Sequence, residues 1–135
     1  MKTHRATRSI FISHSHKDKE LVRDIARRLR TAGLEAIIDI DDLPTSEDWK
    51  KHLLMRLRNA DAVMVLVTPA ALESPWLVVE VGMADGFDKV IVPVTVGVDL
   101  QRLPAPWQSY QAVPFDELDR AIKELGEKLA ENSDE

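Results

Sequence analysis

Apolar positions along the chain alternate between short unbroken runs and longer stretches with helical spacing. Ile10, Phe11 and Ile12 form the first run, bounded by polar residues, and read as a buried strand. Over residues 18–32, Leu21, Val22, Ile25, Ala26 and Leu29 recur at three- and four-residue intervals, which predicts a helix with its charges on the other face. Arg27, Arg28 and Arg30 near its end suit the negative end of the helix dipole, and Gly33 is placed to stop it in the left-handed conformation. Residues 34–40 read as a second strand. Ser46 is a cap for a second helix that opens with Glu47 and Asp48, and Trp49, Leu53, Leu54 and Leu57 give that helix one apolar stripe. Residues 61–68 are the clearest buried strand, almost continuous in β-branched and apolar residues. A polar connection over 69–74 leads to Pro75 at a first helical position, and residues 76–87 form an unusually apolar helix. Residues 90–96 are a fourth strand. Leu118, Ala121, Ile122, Leu125 and Leu129 mark a final amphipathic helix, with 131–135 expected to fray.

Strands alternate with helices, and the buried strands lack period-two alternation. Both features predict an α/β fold of flavodoxin-like type: about five parallel strands covered by helices on both faces. Pro93 conflicts locally, because it cannot donate to a ladder; the fourth strand must be bulged there or unpaired on that side. In such sheets, ligands bind outside the carboxyl ends of the strands where strand order reverses. That directs attention to residues 13–18, 39–46 and 68–80.

A chain of 135 residues is one domain, expected over 9–130 behind a flexible segment 1–8. An apolar fraction of 44% beside 30% charged residues is that of a water-soluble globular protein. There are no cysteines, which excludes disulfides, thiolate catalysis and cysteine-bound zinc, and fits a reducing cytoplasm as the expected location. The net charge of −5 argues against nucleic acid as a general partner. The longest strongly apolar stretch, Ala62–Val67, is too short to span a bilayer, and residues 1–8 lack the apolar core of a secretory signal.

Glu80 is the most unusual single residue. Its neighbours are Trp76, Leu77, Val78, Val79, Val81 and Met83, and a carboxylate in so apolar a helix bears a desolvation cost unless something pairs with it. Trp76, four residues earlier, shares its helix face. Spacing alone leaves two readings open, a functional carboxylate or one that points to solvent or into a structural network. Gly82 costs a helix roughly 1 kcal/mol relative to alanine, which suggests close approach by a strand or a ligand.

Other constellations are weaker. His14, His16 and Asp18 have the H-x-H-x-D spacing of some metallo-hydrolases. A catalytic metal needs about three protein ligands and a second shell, and only His4 and His52 remain elsewhere as imidazoles, so no metal is expected. Asp39, Asp41 and Asp42 suggest a phospho-acceptor pocket. A receiver domain, however, needs an acidic pair where Ser13 and His14 stand and an aspartate where Thr68 and Pro69 stand. The acidic cluster therefore reads as a solvated loop. No G-x-G-x-x-G and no phosphate-cradling glycine loop with lysine occurs, so dinucleotide oxidoreductase and NTPase readings lack support.

Phe11-Ile12-Ser13-His14-Ser15 followed by Asp18 resembles the first box of bacterial TIR domains. Residues 39–49, with Leu43-Pro44 inside, resemble the family's loop after the second strand and the start of the next helix. Ser74-Pro75-Trp76 with Glu80 and Ala84 resembles its S-x-W-x-x-x-E segment, and Ile91-Val92-Pro93-Val94 its fourth strand, proline included. The resemblance spans residues 9–96. One departure stands out: many bacterial relatives carry glycine near Ser46, and here none lies between Gly33 and Gly82.

The resemblance implies one of two functions: cleavage of the nicotinamide–ribose bond of NAD, or assembly with other TIR domains. Enzymatic members use a glutamate at the position matching Glu80, which favours the enzyme, with NAD as substrate and no separate cofactor. By the same resemblance, Ser13, His14 and Ser15 would donate to phosphate or ribose, and Trp49 would offer an aromatic face. Ser74 and Trp76 would line the pocket, and Leu43 would lie on a loop that closes the site from a neighbouring molecule. The pattern Glu80-Val81-Gly82-Met83-Ala84 also resembles the nucleophile region of nucleoside deoxyribosyltransferases, which break an N-glycosidic bond too; the first box and Trp76 fit TIR domains better.

Overall fold

Every residue of two strands, β1 (Ser9–Ser13) and β3 (Ala62–Val67), is buried, as unbroken apolar runs require. They lie side by side in a five-stranded parallel sheet of order β2-β1-β3-β4-β5, with β2 at Glu35–Ile38, β4 at Val90–Thr95 and β5 at Val113–Pro114. The computed structural model describes residues 7–38, 48–103 and 105–132, with the side chains of all but 48–50, 76, 105, 106 and 132. Within these residues the helices are α1 (Lys19–Thr31), α2 (Asp48–Asn59), α3 (Pro69–Leu72), α4 (Pro75–Gly86) and α5 (Leu118–Asn132), joined by short 3₁₀ turns. None of them is long and apolar enough to cross a membrane.

Side chains alternate across a strand, so the sheet divides its apolar residues between two cores. Ile10, Ile12, Met64 and Leu66 face Val22, Ile25 and Leu29 of α1 and Leu118, Ile122 and Leu125 of α5. Phe11, Val63, Val65 and Val67 face Leu53 and Leu57 of α2 and Leu77, Val81 and Ala84 of α4. This is the flavodoxin-like arrangement expected from the pattern. The parity also puts Ser13, two residues after Phe11, on the α4 side.

Several local expectations hold. Gly33 has φ of +84°, its N–H donates to Arg30 O at 3.0 Å, and Leu34 N–H donates to Leu29 O at 2.9 Å. That pair of bonds is a Schellman cap, with glycine supplying the left-handed residue. Pro75 occupies the first turn of α4. Pro93 stands opposite Val65 of β3, while the β5 register begins only at Val94, so no β5 residue faces the proline. The strand is unpaired on that side, one of the two solutions the sequence allowed.

Three features differ from expectation. Residues 69–74 hold the short helix α3, where a polar connection was expected. Thr68 caps it, Pro69 sits at its start, and two alanines follow. Gly82 is exposed, and among the described residues a Cβ there would meet nothing within 4 Å, so of the two expected approaches, strand or ligand, no described strand makes one. Finally, α5 runs through Asn132, into the segment expected to fray. The expected strand residues Asp39 and Ile40, the acidic loop 39–46 and the Ser46 cap lie outside the described residues.

Candidate active site

The chain leaves β1 to form β2 on one side, and β3 then pairs on the other side of β1. The topological switch point is therefore between the carboxyl ends of β1 and β3. Ser13 ends β1, and Thr68 follows the last residue of β3. Both side chains take part in cross-links there, that of Ser13 buried and that of Thr68 part-buried.

The first cross-link joins β1 to α4. Ser13 Oγ donates to Glu80 Oε1 at 2.8 Å, and both residues are buried, Ser13 at 0% and Glu80 at 1% exposure. Glu80 belongs to the inward stripe of α4, with Leu77, Val81 and Ala84. The outward face carries Val78 at 56% and Val79 at 40% exposure. The helix is thus turned against the polarity of its residues, with the carboxylate inside and two valines in solvent. A buried carboxyl group loses hydration and needs partners inside the protein; the Ser13 hydroxyl is one of them, and burial of such a group in a cleft is common at functional sites.

The second cross-link joins the loop after β1 to the segment after β3. Thr68 Oγ1 donates to Asp18 Oδ2 at 2.5 Å and accepts from Ala71 N–H at 3.0 Å. Asp18 ends a 3₁₀ turn over His16–Asp18, where its N–H donates to Ser15 O at 3.0 Å. The sequence placed Asp18 in the first box and in the H-x-H-x-D spacing, and gave Thr68 no functional role. The Thr-Pro pair at residues 68 and 69 was the available signal, since a hydroxyl at N-cap before proline at N1 marks a helix start.

The expected site residues fall into three groups. Ser13 and Glu80 meet. His14 is half-buried, with Nδ1 3.2 Å from Ile12 O; a carbonyl only accepts, so this contact requires the tautomer protonated on Nδ1. Ser15 is buried, and its Oγ accepts from Lys17 N–H at 3.3 Å, so it shapes the turn beside the site. Ser74 lies half-buried just before α4 and makes no side-chain cap bond. The backbone of Trp76 lies one turn before Glu80 on α4, and that of Trp49 in the first turn of α2. Their side chains, and all of Leu43, lie outside the described residues.

Among the described residues no group of three histidine or carboxylate side chains could hold a metal ion. Within H-x-H-x-D, Asp18 accepts from Thr68 and His14 contacts its own strand, so the two are committed in different directions. A cleft of about 800 Å³ lies elsewhere, between α1 and α5. Its Arg28 is held by Asp24 at 3.1 Å and Asp119 at 3.3 Å, and no residue of the switch point lines it.

The strand order is that of a flavodoxin-like α/β domain, with a buried serine–glutamate pair at its switch point. A family model for the TIR domain matches residues 10–129, and the chain belongs to that family. The 2' cyclic ADP-D-ribose synthase BtTIR of Bacteroides thetaiotaomicron is 30% identical over 128 residues, 91% of this chain. The chain spans only 39% of that relative's length. Among solved structures, the TIR domain of the Toll-related receptor TRR-2 from Hydra magnipapillata has a TM-score of 0.72 at 15% identity. That match covers 90% of this chain and 97% of the other, and it supports the fold alone. A metazoan TIR-STING receptor from C. gigas has a TM-score of 0.66 at 25% identity, over 84% of this chain and 39% of the receptor.

Proposed function

We propose that this chain is an NAD glycohydrolase that breaks the nicotinamide–ribose bond and releases nicotinamide with ADP-ribose or a cyclic form of it. The observation that carries the proposal is the Glu80 carboxylate, buried at the switch point and held by Ser13. The 30% identity to a cyclic ADP-D-ribose synthase supports the substrate class.

The chemistry suits a single carboxylate. Ordinary glycoside hydrolysis needs an acid to protonate the leaving oxygen and a second carboxylate for the opposite face. Nicotinamide in NAD is already cationic and leaves neutral, so no general acid is required. What remains is to stabilise positive charge developing on the ribose. A carboxylate in a water-poor site does this more effectively than one in solvent. At 1% exposure Glu80 reaches a ribose only after the groups that cover it move, so substrate entry and Glu80 exposure are one event. The role of Ser13 then follows from its bond: it orients Glu80 before the sugar arrives.

The test is incubation of concentrated pure protein with NAD, followed by chromatography for nicotinamide and for linear and cyclic ADP-ribose. Glu80→Gln keeps size and removes charge. It should cut turnover about 100-fold to 1000-fold, the usual loss for one transition-state contact, with the fold unchanged. Wild-type turnover in that variant would sink the assignment. Base exchange between 2′-deoxynucleosides, without NAD cleavage, would replace it with the transferase reading. A second reading, a module that only assembles with other TIR domains, is favoured by Val78 and Val79 standing in solvent on α4. Nicotinamide release by the wild type would leave that reading insufficient.

A further inference from the structure

We infer that Asp18 is a positioning residue for Glu80, acting through Thr68 and α3 without touching the carboxylate. This rests on the reading of Glu80 as the working group of the site.

Hydrogen bonds run from Asp18 through Thr68 and Ala71 to Ser74, the residue before α4. Thr68 has one hydroxyl proton. Its Oγ1 already accepts from Ala71 N–H at 3.0 Å, and a carboxylate offers only acceptors, so the proton goes to Asp18 Oδ2 at 2.5 Å. Asp18 thereby locks the rotor of the residue that caps α3. Ala71 O in turn accepts from Ser74 N–H at 3.0 Å, and Glu73 N–H donates to Ala70 O at 3.2 Å. The connection from α3 into α4 is therefore closed by backbone bonds, and Glu80 follows on the second turn of α4. The end of β1 and the loop after it thus hold the α3–α4 segment at two points. Ser13 grips Glu80 itself, and Asp18, five residues on, grips the start of the segment that presents Glu80. Thr68 is buried and Asp18 half-buried, so the donor end of the bond is shielded while the carboxylate keeps a face toward solvent. A helix cap alone needs only the bond to Ala71; the bond to Asp18 adds the link back to β1.

The test separates positioning from plain capping. The side-chain carboxyl resonance of Glu80 is followed by carbon NMR in uniformly labelled protein, assigned by its loss in Glu80→Gln. Ser13→Ala gives the size of a direct disturbance. Thr68→Val, which keeps shape and loses the hydroxyl, and Asp18→Ala, which keeps the hydroxyl and loses the acceptor, should both move the Glu80 resonance. Thr68→Ser should return it to the wild-type position, and the Thr68→Val/Asp18→Ala double variant should do no more than either single one, as for two ends of one path. In NAD turnover the two variants should lose about ten-fold in kcat with KM within about two-fold, as expected when a transition-state group is displaced. If Thr68→Val fails to fold, Asp18→Ala carries the comparison. An unmoved Glu80 resonance in folded Asp18→Ala or Thr68→Val, even with a lower melting temperature, would reduce the pair to a helix cap and overturn the inference. A wild type that releases no nicotinamide would defeat the NAD reading instead, and the resonance would still decide this one.

Discussion

Glu80 occupies the position on α4 where packing alone would call for leucine or methionine, between Leu77 and Ala84 on the inward stripe. A buried carboxylate held chiefly for chemistry should be a liability for folding. Replacing buried ionic groups with apolar residues of similar volume is often neutral or stabilising, by about 1–4 kcal/mol in favourable cases. Glu80→Met should therefore melt at or above the wild-type temperature while losing NAD cleavage. A clear drop in its melting temperature would mean that the Ser13–Glu80 bond is structural, and that the function should be sought elsewhere. Ser13 itself was expected to face phosphate or ribose. Its hydroxyl donates to Glu80 Oε1, so the residue expected to meet the substrate also touches the carboxylate.

At the scale of elements, α4 has its buried and exposed faces assigned by its neighbours. Gly82 lies on the exposed face, and among the described residues nothing stands within 4 Å of a Cβ there to offset its cost to the helix. Gly82→Ala should stabilise the domain by up to about 1 kcal/mol in denaturant unfolding, and a destabilised variant would show that the glycine serves an approaching partner. The C-terminal half of α4 is tied to the following 3₁₀ turn (Ala105–Ser109) by Tyr110, whose hydroxyl donates to Asp85 Oδ1 at 3.2 Å. Burial, and then the bond to Asp85, push the Tyr110 hydroxyl above its ordinary value of 10.0. The stability this contributes is complete below that value, because the neutral phenol is the form both states hold there. It is lost as pH rises through the folded-state value, since the unfolded chain ionises first. This is the single tyrosine of the chain, so the alkaline rise in phenolate absorbance reports it alone. The midpoint should lie above 10.0 in native protein and fall partway back in Asp85→Asn. A midpoint at or below that value in the native protein would contradict the burial argument.

At the scale of the molecule, two exposed valines on α4 are apolar groups suited to a partner surface, and the sequence adds the expectation of Leu43-Pro44, which lies outside the described residues. If the site is completed by a second copy, activity per molecule should rise with protein concentration by mass action, and Leu43→Asp should flatten the rise without unfolding the domain. A constant rate per molecule across a wide dilution series, with light scattering reporting monomer throughout, would show that one chain suffices. The layered fold that carries these surfaces was legible from the sequence. Unbroken runs at β1 and β3, the stripes of α1 and α5, and Gly33 as a stop are local consequences of burial on one or both faces, and local patterns record them. The same patterns could not orient α4, because a helix apolar nearly all round has no periodic stripe to set its phase. Thus Glu80 was conspicuous in the sequence, but whether it faced water or the core was decided only by packing. The partners were equally hidden. Ser13 and Glu80 are 67 residues apart, and Asp18 and Thr68 are 50 apart. They meet because strand order places β1 beside β3, and that order follows from how rigid layers fit together, which no single segment of the chain encodes.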